Sequence, residues 1–296
     1  MKNTLFTGAG VALITPMNRD GSVNYDKLGE LLDEQVNGGT DAIITCGTTG
    51  ESATLSVEEH LNVVKFTIDY INHRIPVIAG TGSNETACAA RLSVEAEQLG
   101  ADGLLMVTPY YNKTSQRGLV AHYTYVADRV NIPIVLYNVP SRTGCNIAPE
   151  TLAELCKHKN ICAVKEASGN ISNIAKIRHL CGDNLDIYSG NDDQITPIMS
   201  LGGKGIISVL SNVAPKVAHD IADLYLKGDV EGSAKLQIEY LDLINALFID
   251  VNPIPVKEAL NMMGKNVGEC RLPLYSMSEK DKTVLYNALK NHGLVK

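Results

Sequence analysis

Ile161-Cys162-Ala163-Val164-Lys165-Glu166-Ala167 is a short apolar run that ends by presenting an amine. Its continuous character, without strict alternation, suits a strand covered on both faces, as in a parallel sheet wrapped by helices. A lysine inside a core is costly, because desolvation disfavours its charged form and leaves a neutral amine that attacks carbonyls. Taken alone, a strand-terminal lysine equally reads as a stem packed on apolar neighbours with its amine in water. The rest of the chain has to decide between the two.

Working outward, seven similar runs recur, each followed by an amphipathic stretch of helical length. The eight are Val11 to Thr15, Ala42 to Cys46, Pro76 to Gly80, Gly103 to Thr108, Pro133 to Asn138, Cys162 to Lys165, Leu185 to Ser189 and Gly205 to Val209. Helices are expected over Tyr25 to Asn37, Val57 to Tyr70, Asn84 to Leu99, Gln116 to Arg129 and Ile171 to Leu180, among others. Ser56 with Glu59 three residues on fits a capping box, and Ser83 or Asn84 is placed to cap the helix after the third strand. Eight βα units without a Gly-x-Gly-x-x-Gly fingerprint predict a closed α/β barrel, (β/α)8, rather than an open doubly wound sheet. Beyond the eighth strand only helical patterns follow, over Pro215 to Lys227, Asp229 to Ile249, Val256 to Met263 and Ser278 to Asn291. The expected organisation is a barrel over residues 1–227 carrying the active site, and a C-terminal helical extension over residues 228–296. Val251-Asn252-Pro253-Ile254-Pro255 reads as a stiff turn between helices of that extension.

The 296 residues are 45% hydrophobic and 20% charged, the balance of a globular chain. A net charge of -7 with no basic stripe argues against nucleic acid as a partner. No run approaches the length of a membrane span, and Met1 to Gly10 lacks the charged-then-apolar pattern of a secretion signal, so a cytoplasmic location is expected. The seven cysteines are scattered, with no Cys-x-x-Cys pair, and read as reduced core residues. The seven histidines show no metal-binding spacing, so no metal is expected.

In a barrel of this kind the catalytic groups sit where strands end. The second run ends in Gly47-Thr48-Thr49-Gly50-Glu51-Ser52, whose hydroxyls and backbone amides suit a carboxylate, or simply make a turn whose threonines cap a neighbouring helix. The fourth ends in Thr108-Pro109-Tyr110-Tyr111-Asn112 and the fifth in Tyr137-Asn138-Val139-Pro140-Ser141-Arg142-Thr143-Gly144. Of only 12 tyrosines, three therefore lie at adjacent strand ends. Any one of them reads as an amphipathic core residue, but together with Thr48 they suit proton transfer at a carbonyl addition centre. The Arg142 fork suits a second carboxylate, or a surface ion pair.

Gly-Thr-Thr-Gly-Glu, Pro-Tyr-Tyr-Asn-Lys, Tyr-Asn-Val-Pro-Ser-Arg-Thr-Gly and Val-Lys-Glu-Ala-Ser-Gly, in this order, resemble the pyruvate-dependent class I aldolase and lyase family that contains dihydrodipicolinate synthase and N-acetylneuraminate lyase. The likeness spans nearly the whole chain. The pair Thr48-Thr49, where sialic acid lyases typically have Ser-Thr, and the presence of Arg142 place it nearer the dihydrodipicolinate branch. The resemblance implies that Lys165 forms an imine with pyruvate and that the derived enamine attacks L-aspartate 4-semialdehyde. The product would be 4-hydroxy-tetrahydrodipicolinate, on the diaminopimelate and lysine route. It further implies that Tyr137 moves protons, supported by Thr48 and through it by Tyr111; that Thr49 helps hold the pyruvate carboxylate and Arg142 the semialdehyde carboxylate; and that Gly190 and Ile207 flank the imine. A protonated imine is itself the electron sink for making a carbon nucleophile, so no cofactor is called for. The residue matching Tyr111 reaches a neighbouring subunit's site in relatives, which implies a homo-oligomer, a tetramer built as a dimer of dimers.

In lysine-inhibited relatives the effector meets residues matching Ser52, Ala53, His60, Asn84 and Tyr110. Here Val57 and Cys88 stand where sensitive enzymes often have histidine and glutamate, which implies weak or absent inhibition. Leu201-Gly202-Gly203-Lys204-Gly205 looks like a phosphate loop but precedes the eighth strand, so a turn at the opposite face is expected. Asp192-Asp193 reads as the start of a helix, and Glu166 should point away from the barrel interior by strand alternation. A sibling aldolase for sugar acids, a phosphate-dependent barrel isomerase and a non-catalytic paralogue remain as alternatives, with Arg142 the discriminator against the first.

Overall fold

The computed structural model describes residues 4–296; Met1 to Asn3, the start of the segment read as lacking a secretion signal, lie outside them. Eight parallel strands, β1 (Gly8–Ala12), β2 (Ala42–Thr45), β3 (Val77–Gly80), β4 (Gly103–Val107), β5 (Ile134–Asn138), β6 (Ile161–Glu166), β7 (Asp186–Ser189) and β8 (Gly205–Ser208), close on themselves in chain order. The strands are buried on both faces because two apolar layers claim alternate residues. Ala12, Ile44, Ile78, Leu105, Val135, Ala163 and Ile207 fill the barrel interior. Residues of opposite parity, such as Val11, Ile43, Leu104 and Val164, pack outward against the helices. Phe6 plugs the lower end, stacked on Tyr188 at 4.3 Å, and the Tyr188 hydroxyl donates to the Phe6 carbonyl at 2.6 Å.

The ring shuts where β8 meets β1, Gly8 opposite Gly205. A Cβ on Gly205 would lie 1.8 Å from the Gly8 carbonyl oxygen, and Gly205 has φ +149°, so this seam requires glycine. The first strand is therefore Gly8–Ala12 and not Val11 to Thr15 as the apolar run suggests. The small residues that permit closure do not look like a strand in sequence. Leu13 to Thr15 instead lead into the loop, where the Thr15 hydroxyl donates to the Gly50 carbonyl at 2.7 Å.

The expected helices form, with shifts that have local causes. The Ser56–Glu59 capping box is present at the start of Val57–Ile71. The helix after β3 begins at Thr86, behind Glu85, with no side-chain cap; Ser83 spends its hydroxyl on the Glu85 amide, and Asn84 caps nothing. Pro149–Leu155 and Ile195–Ser200 are helices too short for a readable period. The stretch Asp229 to Ile249 is broken at Tyr240 into Val230–Glu239 and Leu241–Ala246, with the Tyr240 ring stacked on His292 at 4.1 Å. Ile254–Met262 starts earlier than expected, since Pro255 fits a first helical turn. Glu279–Asn291 closes the chain. Cys46, Cys145, Cys156, Cys162 and Cys181 are buried as expected, whereas Cys88 and Cys270 are only partly so. No described helix is long and apolar enough to cross a membrane.

Candidate active site

Alternation along β6 sends Ala163 and Lys165 inward and Val164 and Glu166 outward. Lys165 is 5% exposed and stands in register between Tyr137 on β5 and Tyr188 on β7. Its Nζ lies 4.5 Å from the centroid of the Tyr137 ring. Burial pushes the amine down from 10.5 to about 8; the buried Asp192 carboxylate opposes that shift and the Arg142 charge adds to it. Glu166 faces the helix layer, where its carboxylate accepts from Asn138 Nδ2 at 2.8 Å and from the Ser168 amide at 2.8 Å. The strand thus puts a readily deprotonated amine, and nothing else titratable of its own, at the barrel mouth.

The Tyr137 phenol is pushed up by burial, offset by the Arg142 charge and by a hydrogen bond to the Thr48 side chain. Thr48 and Thr49 come from the turn after β2, where Glu51 adopts a left-handed φ of 56°. The turn is tied by the Glu51 amide to the Thr48 carbonyl at 3.1 Å. Gly50 fits closely there, since a Cβ would crowd Cys46 N and Leu13 O, both at 3.1 Å. Thr49, Tyr137, Arg142, Lys165 and Gly190 line one open cavity of about 530 Å³. A side chain at Gly190 would meet Lys165 Cε at 3.2 Å and Ala167 Cβ at 2.6 Å, so glycine leaves room around the amine. Ile207 is fully buried in the barrel filling beneath. Tyr111 is the outlier: it is 90% exposed on a loop with φ 69° and does not line the cavity of its own chain.

Three features escape the sequence reading. Asp192 does start a 3-10 turn, but it is also buried, accepting from Ser208 Oγ at 2.5 Å and from the amides of Val209 at 3.0 Å and Leu210 at 3.1 Å. It fixes the end of β8 and places a negative charge near Lys165. Asn252, read only as part of a stiff turn, lies in the cavity wall, with Nδ2 3.0 Å from Thr49 Oγ1 and its carbonyl 3.0 Å from Arg142 Nη2. Lys257 is buried against Glu51 at 2.7 Å. No local motif marks these residues, because each acts across a long sequence separation.

A second cavity, of about 480 Å³, shares Val139, Arg142 and Asn252 with the first. Ser52, Ala53, Val57, His60, Cys88 and Tyr110 line it, while Asn84 lies outside, on the next hollow. His60 Nε2 is engaged by the Gly80 carbonyl at 2.8 Å, and burial pushes its ring below the usual histidine range. The Gly202 to Gly205 turn sits at the opposite end of the barrel, where the Lys204 carbonyl accepts from the Gly8 amide.

Residues 5–292 match the model of the dihydrodipicolinate synthetase family. A 4-hydroxy-tetrahydrodipicolinate synthase of Clostridium novyi is 56% identical over 290 residues, covering 98% of both chains. The crystal structure of dihydrodipicolinate synthase from Aquifex aeolicus superposes with a TM-score of 0.96 at 45% identity, over 98% of this chain and 99% of that one. A structure described as the first monomeric dihydrodipicolinate synthase variant also superposes at 0.96, with 42% identity and 98% of each chain covered. With strand order, strand-end residues and likeness over nearly the full length in agreement, the chain belongs to the dihydrodipicolinate synthetase family.

Proposed function

We infer that this chain is a Schiff-base-forming lyase that condenses pyruvate with L-aspartate 4-semialdehyde to give 4-hydroxy-tetrahydrodipicolinate, in diaminopimelate and lysine biosynthesis. The observation that carries this is the Lys165 amine, buried at the barrel mouth and poised over the Tyr137 ring. Neutral Lys165 attacks the pyruvate carbonyl carbon, and loss of water leaves the imine. Removal of a methyl proton then gives the enamine. Its carbon bonds to the aldehyde carbon of the second substrate while the aldehyde oxygen gains a proton. The amino group of that substrate next attacks the imine carbon and expels Lys165, closing the ring and freeing the enzyme.

We assign Tyr137 as the group that gives and takes these protons, held by Thr48, with Tyr111 completing the relay from a neighbouring subunit. Thr49 receives the pyruvate carboxylate together with Thr48, and Arg142 receives the carboxylate of the semialdehyde. Gly190 and Ile207 shape the space around the imine. The strong exposure of Tyr111 supports its being covered by a neighbouring subunit, and the resemblance to the family extends this to a homo-oligomer, a dimer of dimers. A division at residue 227, with the catalytic barrel before it and a helical domain after it, and a cytoplasmic location complete the proposal.

The test is borohydride reduction in the presence of pyruvate followed by peptide mapping, then turnover of the semialdehyde against N-acetylmannosamine and glyceraldehyde. The label is expected on the peptide containing Lys165, with preference for the semialdehyde. Label elsewhere defeats the imine; preference for a sugar aldehyde defeats the substrate.

A further inference from the structure

We infer that Asn252, supplied from beyond the barrel, is a positioning residue that sets the direction of the Thr49 hydroxyl proton and anchors Arg142. This rests on the assignment of Thr49 to the pyruvate carboxylate. A threonine hydroxyl has one proton to give and lone pairs to receive with. Asn252 Nδ2 donates to Thr49 Oγ1 at 3.0 Å, which uses the hydroxyl as an acceptor. Among the described residues no protein group takes the Thr49 proton in return. That proton is left for whatever enters the cavity, and an anion is what it suits.

The same residue holds the second anion-binding group by its backbone. Arg142 Nη2 donates to the Asn252 carbonyl at 3.0 Å, which fixes one arm of the guanidinium and leaves its other donors for a ligand. Asn252 is 5% exposed, and its Oδ1 is buried without a partner. Burying an unpaired amide oxygen is unfavourable, so packing alone would favour an apolar residue here. Beside Phe248, Asp250 and Val251 it brings the helical extension to the substrate pocket, and it alone of these four also lines the second cavity.

The two contacts separate by substitution. An alanine or aspartate at 252 removes the amide donor but keeps the backbone carbonyl, and an aspartate, being an acceptor only, draws the Thr49 proton toward itself. The pyruvate concentration giving half-maximal borohydride label on Lys165 should rise about tenfold in Asn252→Ala, about the worth of the one hydrogen bond that orients Thr49. It should rise further in Asn252→Asp, and Asn252→Ala should add little to Thr49→Val. The KM for the semialdehyde should stay within about twofold in Asn252→Ala, because Arg142 keeps its anchor. Full label at saturating pyruvate confirms that each variant is folded. The inference is overturned if half-saturation is unchanged in both variants, or if label falls equally at every pyruvate concentration, as a purely structural role would give. Failure of the unsubstituted protein to take label at Lys165 would instead sink the function proposed above.

Discussion

Lys257 and Glu51 meet inside the protein, ammonium to carboxylate at 2.7 Å, with side chains 2% and 0% exposed. Lys257 also donates to the Glu269 carbonyl at 2.8 Å, and Glu51 accepts from the Arg271 amide at 2.9 Å. The pair fastens the helical extension to the very turn that presents Thr48 and Thr49. Removing one partner strands a buried charge, so Lys257→Met should cost about 3–5 kcal/mol, whereas Lys257→Met with Glu51→Leu should recover much of it. Unfolding midpoints of the two variants at neutral pH check this. A double variant no more stable than the single one would contradict it.

Lys165 should govern both rate and stability with pH. Reactivity requires the neutral amine, so imine formation is expected to rise with pH through about 8 and then level off. For stability the sign is the same. Between about 8 and 10.5 the unfolded chain holds a proton on this lysine that the folded chain has lost, so stability climbs with pH over that window. Lys165→Met should abolish activity, erase that slope and stabilise the fold at neutral pH by up to about 3 kcal/mol, the worth of the shift. Thermal unfolding of both proteins across the alkaline range provides the measurement.

Replacing Tyr137 by phenylalanine should lower turnover by about 10²–10⁴-fold, the range for loss of general acid-base help. Thr48→Val should act in the same direction but less, and it should raise the phenol further, since the Thr48 bond holds it down. The alkaline limb of the rate profile would then move to higher pH. An unmoved limb would remove Tyr137 from the titrating role.

Tyr111 should matter only where subunits meet. Tyr111→Phe is expected to lower turnover while leaving pyruvate labelling of Lys165 largely intact. Sedimentation should show an oligomer whose dilution to monomers loses activity. A monomer with unchanged turnover would refute the shared relay.

Lysine should inhibit weakly or not at all. The second cavity presents Val57 and Cys88, and its His60 is already bonded to the barrel backbone, so a charged amino acid finds few free polar partners there. Rate assays with lysine are expected to show no inhibition below about 1 mM, the concentration at which a binding energy of about 4 kcal/mol is reached. Strong inhibition below that level would overturn the expectation.

What the sequence made legible is what parallel strands write locally. Lys165, Tyr137 and Thr48 stand at the ends of short apolar runs, and the period of those runs fixes both the ring and which end bears the chemistry. Contacts between distant segments left no such mark. Asn252 meets Thr49 across 203 residues and Lys257 meets Glu51 across 206, so neither pairing carries a spacing that a motif could hold. Asp192 was read for its effect on a helix start, and only the fold brings the β8 amides to it. Strand β1 was misplaced because its glycines answer to a neighbour almost two hundred residues away.

That glycine seam also bears on how the chain is made. The first strand of the barrel has as its partner the last, so one side of β1 waits, with its amides and carbonyls unmet, until residues near 205 have emerged. A polypeptide cut short before then carries an open sheet edge, which is a template for sticking to other chains. Chains cut short before β8 are therefore expected to be aggregation hazards rather than smaller working enzymes, since the ring closes only when the final βα unit is in hand.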